Sequence, residues 1–220
     1  MKNSLIITLL AATLALTTAC GNKQTEGTLT YELDYQLPDS LKSFAAFLPK
    51  SAILHFKGDS AVTIQGSEEE STTMITYHPT DYLVGLFKSG PLKRFQVQFG
   101  KEEQKMELPD LSGFEFTKGT ATKTVAGYKA DQYIVKDKVT GDTTSAWFTH
   151  DLKVPANFIS MVFNPELGTP VEFSLNQNGM ITTTKLKEVK LETVPAGIFT
   201  APAGFIKLTP QQLREMPVEN

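Results

Sequence analysis

The feature that most constrains this chain is a two-residue alternation of apolar and polar side chains that recurs from Thr28 onward. In TLTYELDYQL, Leu29, Tyr31, Leu33, Tyr35 and Leu37 fall on one side of an extended backbone, and Thr30, Glu32, Asp34 and Gln36 on the other. A helix would scatter both sets around its circumference, so the pattern predicts a half-buried strand. SAILHFKGDSAVTIQG repeats it on both sides of Gly58-Asp59 and predicts a hairpin with strands over 52–57 and 60–65. Further strands are predicted at TTMITYH, DYLVGLF, KRFQVQF, EFTKGTATKTV, KADQYIVKD, TTSAWFTHD, PVEFSLNQ and MITTTKLKEVKLET. Turn-forming stretches separate them, among them Ser89-Gly90-Pro91, Thr140-Gly141-Asp142 and Asn178-Gly179. Roughly ten strands, with no helices long enough for parallel crossovers, imply a mainly β fold. The expected form is one large curved antiparallel sheet making an unclosed barrel, with one to three short helices as lid or plug.

Helical spacing occurs in few places. PDSLKSFAAFLP sets Leu41, Phe44, Ala45 and Leu48 on one helical face between Pro38-Asp39-Ser40 and Pro49. Thr209-Pro210-Gln211-Gln212 has the form of a capping box and predicts a brief helix over 211–216. The apolar run in ANFISMVFNPELG, 156–168, fits a helix turn or a buried strand equally well.

Ahead of the strands, MKNSLIITLLAATLALTTACGNKQTEG places Lys2 before an apolar stretch, Leu5 to Ala19, too short to span a bilayer. Residues 1–19 read as a secretory signal. Cys20, which follows directly, is the one cysteine of the chain, which excludes an intramolecular disulfide and every cysteine-rich metal module. It stands where lipoprotein processing attaches acyl chains, although Thr17 occupies the place usual for leucine. Each buried methylene contributes roughly 0.8 kcal/mol, so two or three acyl chains on Cys20 would hold the protein on a membrane. Residues 20–27 then form the lipidated cysteine and its tether, and 28–220 a single domain. Gly21, where an aspartate would favour retention at the inner membrane, points to an outer-membrane lipoprotein facing the periplasm.

Removal of 1–19 takes Lys2 from the 21 basic residues and leaves 20 against 24 acidic, a net charge near −4 with no basic run. Nucleic acid and anionic lipid headgroups are poor partners for such a chain. Catalytic spacing is equally sparse. His55, His78 and His150 are dispersed, with no HxH or HExxH pattern. Gly58-Asp59-Ser60 resembles the opening block of a lipase family, but no Asp-x-x-His block supplies its base, and no Gly-x-Ser-x-Gly elbow exists. Glu68-Glu69-Glu70 and Glu102-Glu103 fall in polar stretches where a carboxylate keeps its ordinary acidity. No metal site and no cofactor is expected.

A resemblance enters through VAGYKADQYIV at 125–135, AWFTHDL at 146–152, LGTPVEF at 167–173, VPAGIF at 194–199 and PAGF at 202–205. Together these resemble a family of Gram-negative lipoproteins of unassigned function and, more widely, the lipoprotein-carrier superfamily of LolA and LolB. The resemblance implies an unclosed barrel whose apolar concave face is covered by helices, with 40–48 as the lid. The expected function is non-enzymatic: an envelope lipoprotein, monomeric, that takes a lipid, acyl chain or other hydrophobic ligand into that concavity. Candidate lining residues are Leu33, Tyr35, Leu41, Phe44, Phe47, Leu48, Phe95, Val97 and Phe148. The alternatives are a structural or protein-interaction lipoprotein whose groove its own side chains fill, and an envelope hydrolase. A cavity beneath 40–48 separates the first two; two titratable groups in hydrogen-bond reach at its mouth would favour the third.

Overall fold

The computed structural model describes residues 25–107, 111–177 and 179–216. The signal at 1–19, Cys20 and most of the tether lie outside the described residues. The strands are β1 (Glu26–Gln36), β2 (Ser51–Lys57), β3 (Ser60–Gly66), β4 (Glu70–Tyr77), β5 (Tyr82–Ser89) and β6 (Lys93–Phe99), followed by β7 (Phe114–Val125), β8 (Tyr128–Asp137), β9 (Thr143–Thr149), β10 (Thr169–Gln177), β11 (Met180–Lys190) and β12 (Ile206–Leu208). All twelve form one sheet in the order β12-β6-β5-β4-β3-β2-β1-β11-β10-β9-β8-β7, which leaves β12 and β7 as edges. The fold is mainly β, mostly antiparallel and unclosed, as the alternation predicts. β1 begins at Glu26, two residues before the expected start, because its carboxylate accepts from Lys57 Nζ at 2.6 Å and from the Val194 N–H at 3.0 Å.

Connectivity forces the sheet to curl. β6 and β7 lie ten strand positions apart, which in a flat sheet is about 48 Å. Only residues 100–113 join them. Within that link α1 (Lys101–Glu107) is seven residues long, about 10 Å, and the other residues reach at most about 25 Å. The two sides of the sheet must therefore turn toward each other.

Three apolar clusters hold the curled sheet. The largest gathers Leu29, Tyr31, Leu54, Phe56, Phe148 and Phe173 under residues of an irregular strap between β9 and β10, namely Leu152, Ile159 and Phe163. The Phe163 ring meets Phe173 edge-on at 4.9 Å, Phe148 at 5.3 Å and Phe116 at 6.0 Å. Neighbouring residues in β4 and β5 supply the other two clusters, so these strands are buried on both faces. Ile75 and Val84 pack against Ile198, Phe199 and Phe205, while Met74 and Leu83 pack against Phe158, Leu208 and Leu213. The C-terminal segment thus covers one face of the sheet, runs along its edge as β12 parallel to β6, and ends on the other face. Its last helix, α2 (Pro210–Arg214), carries the expected capping box: Thr209 Oγ1 accepts from the Gln212 N–H at 3.1 Å, and Gln212 Oε1 from the Thr209 N–H at 2.9 Å.

Two expectations need correction. Asp39–Phe47 is a 3-10 helix with no buried residue, and Phe44 and Phe47 are 56% and 77% exposed. At three residues per turn Leu41, Phe44 and Phe47 line up in one stripe, instead of the α-helical face formed by Leu41, Phe44, Ala45 and Leu48, and the segment does not close over the sheet as a lid. Glu102-Glu103 sits in the first turn of α1, where carboxylates complement the helix dipole, and not in a loop.

A candidate ligand cleft beside the strap

Among the described residues a cleft of about 1180 Å³ lies where the two sides of the curled sheet approach. One wall comes from the β4–β5 connection and α1, through His78, Asp81, Lys101 and Gln104. The other comes from the beginning of β7 and the turn ahead of it, through Phe116 and Leu111, and the strap lines the space between. Asn157 shapes the strap: its Oδ1 accepts from the Ile159 and Ser160 N–H groups at 3.0 and 3.3 Å, and its Nδ2 donates to the Pro155 carbonyl at 2.9 Å. This is a turn held by one side chain, which is why no hydrophobic period announces it.

The buried polar groups of the cleft are bonded within the protein. Gln104 Nε2 donates to the Asp81 and Phe99 carbonyls at 2.8 and 3.1 Å. Thr169 Oγ1 donates to the Leu152 carbonyl at 2.7 Å, and Thr76 Oγ1 to the Ala61 carbonyl at 3.3 Å. With those bonds made, the larger part of the lining is apolar, supplied by Leu111, Phe116, Leu152, Val154, Val162 and Phe163.

Charge lies on other lining residues. Lys101 Nζ meets Asp81 Oδ2 at 2.9 Å; hydrogen bonding and attraction hold the Asp81 carboxyl below the usual range and push the Lys101 ammonium above it. Both stay ionised, the opposite of what proton transfer near neutrality demands. This is the one hydrogen-bonded pair of ionisable side chains among the described lining residues. His78 and His150 also line the cleft, but no group of three or more metal-ligating side chains occurs among the described residues.

None of the nine residues expected to line a cavity lines this cleft. Leu33 and Phe148 are core residues of the largest cluster, and Tyr35 is half-buried against it, its phenol pushed up by burial. Val97 belongs to the cluster beneath Leu208, and Phe95, half-buried, pairs with Ile206 of β12. Leu41 and Leu48 are half-buried, and Phe44 and Phe47 point outward. Beside 46–51, among the described residues, lies a smaller depression of about 300 Å³ lined by Phe47 and Leu48 and bordered by Ser67 and Glu70. The larger cleft lies elsewhere, beside the strap. Lys101, Gln104 and Phe163 had no mark in the sequence; the ambiguous run at 156–168 was the nearest signal.

No family model matches the chain, and no curated protein is similar to it. Solved structures share its fold. The structure of PNGF-II in space group P21 superposes with a TM-score of 0.53 at 13% identity, over 87% of this chain and 33% of that one. PNGF-II in space group C2 gives 0.51 at 14% identity, over 86% and 31%. The chain spans about a third of the PNGF-II chains it matches, and at this identity the likeness is one of fold.

Proposed function

We propose that this chain is a non-enzymatic lipoprotein of the cell envelope, held to the outer membrane by acyl chains on Cys20, that binds an acyl chain or other apolar ligand in the cleft beside the strap. The observation that carries the reading is the lining itself: a cavity slightly larger than most small-molecule sites, whose buried polar side chains are bonded internally and whose lining is more aliphatic and aromatic than polar. Burial at about 25 cal/mol per Å² would favour chain length over chemical detail. The resemblance of the sequence motifs to those of lipoprotein carriers supports the same use of an open barrel, with the strap in the role assigned to the lid.

One observation favours a second reading. Leu152, Ile159 and Phe163 fill much of the concave face, as in an interaction lipoprotein whose groove is self-plugged. Native mass spectrometry of the unanchored Cys20→Ser protein, purified from a lipid-containing host, decides between them. A co-purifying mass of acyl-chain size is expected. Bare protein that also takes up no fluorescent fatty acid would leave the self-plugged reading in its place.

A further inference from the structure

We infer that the occupant of this cleft is a single-chain amphiphile with an anionic head, a carboxylate or a phosphate; this rests on the apolar-ligand reading above. Three lysines line the cleft: Lys101 and Lys105 from α1 and Lys153 from the strap. The first two are four residues apart on the helix and share a face. The one acidic lining residue among those described is Asp81, already engaged with Lys101. Lys105 is paired at 2.8 Å with Glu102, an exposed i,i+3 contact of the kind that contributes little and yields readily to a ligand. Lys153 has no acidic partner among the described residues. His78 and His150 border the same space and bring no negative charge.

A cationic rim on a chain of net charge −3 is a local construction and not a reflection of bulk composition. It adjoins an apolar floor made by Phe116, Leu152, Val154 and Val162. That pairing complements a molecule with an alkyl body and a negative end: the chain is removed from water, and the head stays near ammonium groups that also steer its approach. A neutral amphiphile would use only the floor, and a cationic one would be repelled at the rim.

The test measures displacement of a neutral apolar dye from the Cys20→Ser chain by four ligands of equal alkyl length: dodecanoate, dodecyl phosphate, dodecyl maltoside and dodecyltrimethylammonium. At least one anion is expected to bind about tenfold tighter than the maltoside, with the cation weakest and the advantage shrinking as salt screens it. Whichever anion shows the advantage names the head. The double variant Lys105→Gln/Lys153→Gln should keep its affinity for dye and maltoside, which also reports that it folds, and lose most of the anion advantage. Equal binding of anion and maltoside, or an advantage that survives the double variant, overturns the anionic assignment and leaves the apolar reading standing. Failure to take up the dye or any of the four ligands overturns the apolar reading itself.

Discussion

Truncating Phe163 to alanine removes a ring that is 6% exposed and meets three other phenylalanines edge-on at 4.9, 5.3 and 6.0 Å. Phenylalanine-to-alanine changes in a packed core cost about 3–5 kcal/mol, the lost transfer energy plus the cavity left behind. Phe163 is buried, and its neighbours Phe148 and Phe173 belong to separate strands that cannot readily collapse into the space. For a domain of this size about 1 kcal/mol moves the midpoint by 2–4 °C, so a fall of about 6–20 °C is expected. The matched control is Phe47→Ala, at 77% exposure on the 3-10 segment once expected to be the lid. It should change stability by less than about 0.5 kcal/mol. Urea unfolding of both proteins, read as shifts of midpoint at constant slope, measures the two costs. A loss below about 1 kcal/mol for Phe163→Ala, or equal losses for the two variants, would refute the claim that the strap and not 39–47 closes the concave face.

Burial pushes the His55 imidazole below its ordinary value, against a smaller opposing effect of Glu192, while its Nδ1 lies 2.9 Å from Thr28 Oγ1. The unfolded chain therefore takes up the proton first as pH drops; stability is full above the ordinary imidazole value near 6.5 and is lost as pH falls through the folded value. Urea midpoints at pH 7.5 and 5.5 should show the fall, and His55→Gln should flatten it; a midpoint that does not drop contradicts the burial of the ring. Gly168 has φ +98°, and a Cβ there would stand 2.6 Å from the Thr149 carbonyl oxygen, so Gly168→Ala is expected to cost about 1–3 kcal/mol in a thermal melt. An unshifted melt would mean that the strap does not rejoin β10 through this turn. Cys20→Ser should move the protein from the membrane to the soluble fraction, and unchanged partitioning would mean that something other than lipid holds it.

The strands were legible because half-burial imposes a local signature. β1 reads as alternation since Leu29, Tyr31 and Leu33 enter the core while Thr30, Glu32 and Asp34 do not, and no distant residue is needed to see it. The second cover over β3–β5 was not legible for the converse reason. Ile198, Phe199 and Phe205 reach the outer face from a segment with no regular period, and they are partly buried only because Val62, Ile75 and Val84 are already there to meet them. The segment 39–47 shows how one pattern admits two helices. Its apolar residues satisfy α-helical spacing through Leu41, Phe44, Ala45 and Leu48, and three-residue spacing through Leu41, Phe44 and Phe47; only tertiary contact could have chosen, and the segment has little.

The cleft lay further out of reach because it is a consequence of strand order, which local periodicity does not encode. Nothing in the strand sequences says that β1 pairs with β11 and so places β6 and β7 on opposite sides of the sheet. Once that order is fixed, the short link through α1 compels the curl, and the strap between β9 and β10 is left facing α1 across the gap. Lys105 and Lys153, distant in sequence and each unremarkable as a surface lysine, then line one cavity. The absence of a basic run counts against a polyanion such as nucleic acid, which needs many cations in a row; the same expectation against anionic lipid headgroups is weaker, because a single negative head needs only the few lysines that the fold brings to one cavity.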